Sequence, residues 1–138
     1  MPSIAEKQQS IVSDFEFFDD WSDRYRHIID IGDELDPLPE EYKTDDYIVP
    51  GCQSQVWLIA KSEGSKVFFT GDSDAAIVKG LVALLINVYS GHEAKEIAEA
   101  DFKFIHDIGL GKHLSMNRAN GLASMIKAIK ERALACID

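Results

Sequence analysis

Apolar positions recur along this chain first at helical spacing, then in alternation, then at helical spacing again. Ser3-Ile4-Ala5-Glu6 has the form of a capping box, with Ser3 as cap and Glu6 three residues on, and predicts a first helix to about Phe15. Asp20 can cap a second helix, in which Trp21, Tyr25, Ile28, Ile29 and Leu35 recur at helical spacing and which Pro37 and Pro39 end. The acidic segment that follows, to Tyr47, predicts loop. In the middle of the chain the period changes. Gln55 to Lys61 and Lys66 to Thr70 are rich in β-branched and aromatic residues, and the turn formers Ser62-Glu63-Gly64-Ser65 between them predict a hairpin. Val56 and Leu58 on one face, and Trp57 and Ile59 on the other, require cover on both sides, which the flanking helices are expected to supply.

Ser73 is expected to cap a strongly apolar helix, Asp74 to Tyr89, with Ile77, Leu81, Leu84, Leu85 and Val88 as its core stripe and Gly91 as its stop. Two short helices follow near Ala94–Glu99 and Asp101–Ile108, the second closed by Gly109. Asn117 is expected to cap a last helix to Ile137, with Leu122, Met125, Ile126, Ile129, Ala133 and Cys136 along one face. The pattern predicts an α+β fold, a small antiparallel sheet packed by flanking helices, in one domain over residues 1–138.

Composition narrows the function classes. With 14 basic and 24 acidic residues the chain carries a formal charge of −10, which disfavours general nucleic-acid or anionic-membrane binding. The whole excess lies between Asp14 and Asp46, where 13 acidic residues face Arg24, Arg26 and Lys43 alone. That stretch is either a solvated face or a surface that steers a basic partner. The tail from Ile108 onward is basic, with Lys112, Arg118, Lys127, Lys130 and Arg132. No apolar run approaches the roughly 18–20 residues of a membrane span, and no basic-then-apolar leader is visible. A cytoplasmic location is expected. Two cysteines, with four histidines at no metal spacing from either, cannot complete a zinc or iron–sulfur site, so no metal is expected.

Cys52 is the most suggestive position. Val49-Pro50-Gly51-Cys52-Gln53-Ser54 is a Pro-Gly turn leading straight into the first strand, a place for either a reactive thiol or a small loop residue. Cys136, in register with Leu122 and Ile129, reads as a small core hydrophobe. Asp74 stands where a helix dipole favours an acid. Arg118 stands beside His113 at a helix start, where the dipole disfavours a base; a surface ion pair or a separate task would account for it. The Gly-rich spacing of a nucleotide loop and the elbow of a serine hydrolase are both missing.

Three blocks carry a resemblance. At Gly51-Cys52-Gln53-Ser54-Gln55-Val56-Trp57, at Gly71-Asp72-Ser73-Asp74-Ala75-Ala76-Ile77-Val78-Lys79-Gly80-Leu81, and at His113-Leu114-Ser115 with Arg118-Ala119-Asn120-Gly121-Leu122, the chain resembles the SufE family of sulfur acceptors. The blocks cover about Val49 to the C-terminus; before the arginine, where the family usually has a proline and a small hydroxyl residue, this chain has Met116-Asn117. The resemblance implies an α+β fold shared with scaffold proteins of the IscU type. It implies that Cys52 accepts persulfide sulfur from a pyridoxal-phosphate cysteine desulfurase of the SufS kind, that the chain stimulates that desulfurase, and that the sulfur passes to a SufBCD-like iron–sulfur assembly complex. Gly51, Gln53, Asp74, His113 and Arg118 are the expected loop-supporting or partner-binding residues. The chain would need no cofactor, because the pyridoxal phosphate belongs to the donor. A CsdE-type paralogue serving another desulfurase, and an adaptor that activates the donor without carrying sulfur, are the alternatives. A cluster scaffold lacks ligands here, and a thiol peroxidase lacks a resolving cysteine near Cys52. Monomer and homodimer both stay open.

Overall fold

The computed structural model describes residues 2–110 and 114–136. Helix α1 (Ile4–Glu16) begins at the expected capping box: Ser3 Oγ accepts the Glu6 N–H at 3.1 Å, and Glu6 Oε1 accepts the Ser3 N–H at 3.3 Å. Helix α2 (Trp21–Asp33) begins at Asp20, whose Oδ1 accepts the Asp23 N–H at 2.9 Å. It stops short of the prolines, so Leu35 lies beyond it. Asp33, Glu34 and Asp36 crowd negative charge at the negative end of the helix dipole, with no base in the last turn to offset it. The segment after it is not all loop, because Glu40–Tyr42 forms a 3-10 turn.

Strands β1 (Val56–Glu63) and β2 (Lys66–Ser73) pair antiparallel, with Glu63 opposite Lys66. The hairpin is therefore tighter than the expected four-residue turn. Gly64 takes φ +62° at the first central position of a two-residue connection, which leaves Ser62 and Glu63 free to pair. A short third strand, β3 (His92–Glu93), pairs with Lys66 and Val67 and gives the order β1-β2-β3. The sequence pattern did not predict it, since two residues carry no alternation.

Val56, Leu58, Val67 and Phe69 join the main core with helix α3 (Ala76–Tyr89) and helix α6 (Met116–Ala135). The short helices α4 (Ala94–Glu99) and α5 (Lys103–Asp107) complete the described set. Trp57 and Ile59 on the other face are covered by Leu38, Tyr42, Tyr47 and Ile48, not by a helix. The acidic connection thus acts as the sheet's second cover. Two expected caps are corrected. Ser73 ends β2, and α3 begins three residues later at Ala76, with Ala75 as an unassisted N-cap. Helix α6 is capped by Ser115, whose Oγ accepts the Arg118 N–H at 3.3 Å, rather than by Asn117.

Helices α2 and α3 cross with their backbones in contact. A Cβ on Gly32 would stand 2.8 Å from the Gly80 nitrogen, and one on Gly80 would overlap the Ile28 carbonyl oxygen. This crossing lets α2 deliver Ile29, and α3 deliver Ile77 and Val78, to the walls of one cleft.

Candidate functional site

The Cys52 loop hangs from a strapped base. The Val49 N–H donates to the Val56 carbonyl at 2.8 Å, and Leu58 N–H to the Tyr47 carbonyl at 2.9 Å, so residues 50–55 form a closed excursion from the edge of β1. Arg132, which the sequence placed in a basic tail, is turned inward to hold that base. Its guanidinium donates to the carbonyls of Tyr47 (3.1 Å), Ile48 (2.9 Å) and Leu58. Burial pushes its pKa down from the ordinary arginine value.

Asp72, named in the sequence only as part of the second block, is buried near the end of β2. One carboxylate oxygen lies 3.4 Å from Lys43 Nζ and the other 3.6 Å from Lys79 Nζ, tying the acidic connection to α3. Asp74 does not serve the α3 dipole by capping it. Its Oδ1 accepts the Gln55 N–H at 3.0 Å, and its own N–H donates to the Gln55 carbonyl at 3.3 Å. This two-bond clasp holds the exit of the Cys52 loop against the β2–α3 junction. Asp74→Ala is expected to cost about 1 kcal/mol, the scale of one exposed charge-assisted hydrogen bond, and to speed Cys52 alkylation. Asp74→Asn, which keeps the acceptor oxygen, should do neither; thermal melting and a timed alkylation check both.

At the tip, Gly51 takes φ +86°, a conformation open to glycine, and lies against α6: a Cβ there would stand 2.5 Å from Ser124 Oγ. Cys52 is half-buried, with Sγ 3.6 Å from the Gly121 carbonyl oxygen. Burial pushes its pKa above the ordinary thiol value. Cys52, Gln53 and Ser54 line a cleft of about 550 Å³ together with Ile29, Ala75 to Val78, Ser115, Arg118, Gly121 and Met125. Volume and lining suit a site with apolar walls and a few convergent polar groups.

Among the residues singled out in the sequence, Cys52, Gln53 and Arg118 meet at this cleft, while Gly51 and Asp74 fix the loop from either side. His113 lies outside the described residues. Gly121, Ser124 and Arg132 were given no role at the site; the readable signals were Gly121's place in the third block and a glycine in the interior of a helix. Cys136, the C-cap of α6, is half-buried and packs on the core as expected. It lies 15 residues beyond Gly121, roughly 22 Å along the helix, so it is no partner for Cys52 within one folded chain.

The profile of the SufE family, described as an Fe–S metabolism associated domain, matches residues 9–133. The match takes in the acidic N-terminal third, which holds none of the three sequence blocks. A relative in Rhizobium etli, described as an uncharacterized SufE-like protein, is 49% identical over 128 residues, covering 89% of this chain and 86% of its own. A second SufE-like protein, from Rhizobium meliloti, is 46% identical over 128 residues, covering 89% and 91%. The solution structure of a hypothetical protein from Thermus thermophilus superposes with a TM-score of 0.77 at 20% identity, covering 95% of this chain and 96% of that one. The chain belongs to the SufE family, and its α+β fold is the one that structure shares. Membership associates it with iron–sulfur metabolism.

Proposed function

We propose that this protein accepts sulfur as a persulfide on Cys52 from a cysteine desulfurase and hands it on for iron–sulfur cluster assembly. The observation that carries the reading is a lone thiol at the tip of a strapped loop, set in a cleft that Arg118 also lines. A carrier of labile sulfur needs a thiol that can be hidden between partners and presented to them, and a short loop with a fixed base provides both states.

The Cys52 thiolate attacks the outer sulfur of the donor's persulfide. The Cys52–S bond to that sulfur forms as the donor's S–S bond breaks, giving Cys52–S–SH and the donor's thiolate, so oxidation state and atoms balance. Arg118 favours the thiolate and the persulfide anion by its charge, and Gln53 supplies polar contact on the loop itself. The donor brings the pyridoxal phosphate, and this chain brings no cofactor. Delivery goes to a scaffold complex of the SufBCD kind, in the cytoplasm. Incubation with a cognate desulfurase and cysteine should add one sulfur to the Cys52 peptide in mass spectrometry and none to the Cys136 peptide. Sulfur on Cys136 alone, or on neither, would overturn the reading. Cys52→Ser should also lose the stimulation of the desulfurase, whereas an adaptor that carries no sulfur would keep it.

A further inference from the structure

We propose that Gly121 and Ser124 are positioning residues for sulfur acceptance, a two-notch seat on α6 that receives Cys52 and Gly51 and sets how often Cys52 is released. The inference rests on the reading of Cys52 as the acceptor and adds what controls its presentation. The two residues are three apart in one helix and therefore share a face. Gly121 is the notch for the thiol: a Cβ there would stand 3.6 Å from Cys52 Sγ and 3.9 Å from its Cα and Cβ, and the Gly121 carbonyl faces Sγ at 3.6 Å. Ser124 is the notch for the turn, because its Oγ occupies the space beside the bare Cα of Gly51.

In the 20-residue α6 the space between position 121 and Cys52 is that of a methyl group at ordinary contact, so a side chain larger than alanine there meets the loop. The strapped base at Val49–Val56 and the Asp74 clasp fix the loop's ends, not its tip. The contacts of the tip are therefore those with α6 and the cleft walls, and α6 decides between seated and released. A larger side chain at either notch fills the volume the tip occupies and shifts the population toward release. An alanine does not: at position 121 its Cβ makes ordinary contact with the cysteine, and at position 124 it only removes an oxygen.

The test compares Gly121→Leu and Ser124→Leu with Gly121→Ala and Ser124→Ala in the full chain. The peptide-resolved rate of reaction with a bulky maleimide is read at Cys52 and, as an internal reference, at Cys136. Both leucine variants should react about tenfold faster at Cys52, with Cys136 unchanged and both alanine variants close to wild type. With limiting desulfurase, the leucine variants should also accept sulfur at a lower KM. Should Gly121→Leu fail to fold, Ser124→Leu, at a half-buried position, carries the comparison. Unchanged Cys52 rates, an equal rise at Cys136, or alanine variants that react as fast as the leucine ones would overturn the seat. The maleimide assay uses no desulfurase, so the two readings fail separately. Sulfur uptake by wild type without the alkylation pattern removes the seat alone. The alkylation pattern without uptake removes the acceptor reading alone.

Discussion

In the free protein Cys52 is expected to react with a bulky maleimide at least about tenfold more slowly than in the urea-unfolded chain, and faster once the donor is bound. Two terms act in the same direction. The thiol is half-buried against Gly121, so the reagent must wait for the tip to leave its seat. Burial also raises its pKa, and an ordinary thiol near pKa 8.5 is already only a few per cent ionised at neutral pH, roughly tenfold less for each unit added. The rate should climb with pH and inflect above the value for the unfolded chain. The sign of the linked stability follows. A thiol whose folded pKa lies above its unfolded one stabilises the seated state in full below about pH 8.5, and that contribution is lost as pH rises through the folded value. Seating therefore weakens in alkali. An inflection below that of the unfolded chain would overturn this account, because it would mean that Arg118 stabilises the thiolate more than burial opposes it.

Residue chemistry that acts within a few positions was legible from the sequence. The Ser3 box, the Asp20 cap, the two-sided hairpin and the α6 face all follow from local spacing, and the structure keeps them. The larger departures arise where a side chain has a distant partner; the shifted caps at Ser73 and Ser115 are local. In sequence Ser73 looks like a cap and Asp74 like an acid placed for the helix dipole, yet Asp74 is claimed by Gln55, 19 residues away. Ser73 Oγ bonds the Ala75 N–H at 3.3 Å within the turn. Arg132 was counted only among the bases of the tail, and it holds carbonyls 74 to 85 residues away. Cys52 was legible from its Pro-Gly turn and its block. The seat was not, because only the fold brings Gly121 and Ser124 to that turn.

Gly80→Ala is expected to be the most damaging conservative change outside the cleft. On an isolated helix the substitution would stabilise by about 1 kcal/mol, since glycine costs helix-forming entropy. Here the new methyl would overlap the Ile28 carbonyl oxygen and stand 2.5 Å from Ile28 Cγ2 and 2.7 Å from its carbonyl carbon. Ile28 is fully buried, and two of those three atoms are backbone, so no rotamer change relieves the contact; α2 must move as a unit. Overpacking of that kind costs about 1–3 kcal/mol, which at this chain length lowers the melting temperature by roughly 4–10 °C. Gly64→Ala is the control, because no atom lies within 4 Å of its Cβ position and only the positive φ opposes it. Lifting α2 from α3 also parts Ile29 from Ile77 and Val78, the apolar walls of the Cys52 cleft. Gly80→Ala should therefore speed Cys52 alkylation well below the melting temperature, through the walls and not through the α6 seat, and a seat-filling Ser124→Leu added to it should raise the rate further. A Gly80→Ala protein that melts at or above wild type would mean that α2 and α3 do not meet backbone to backbone, and the cleft would then owe its shape to other contacts.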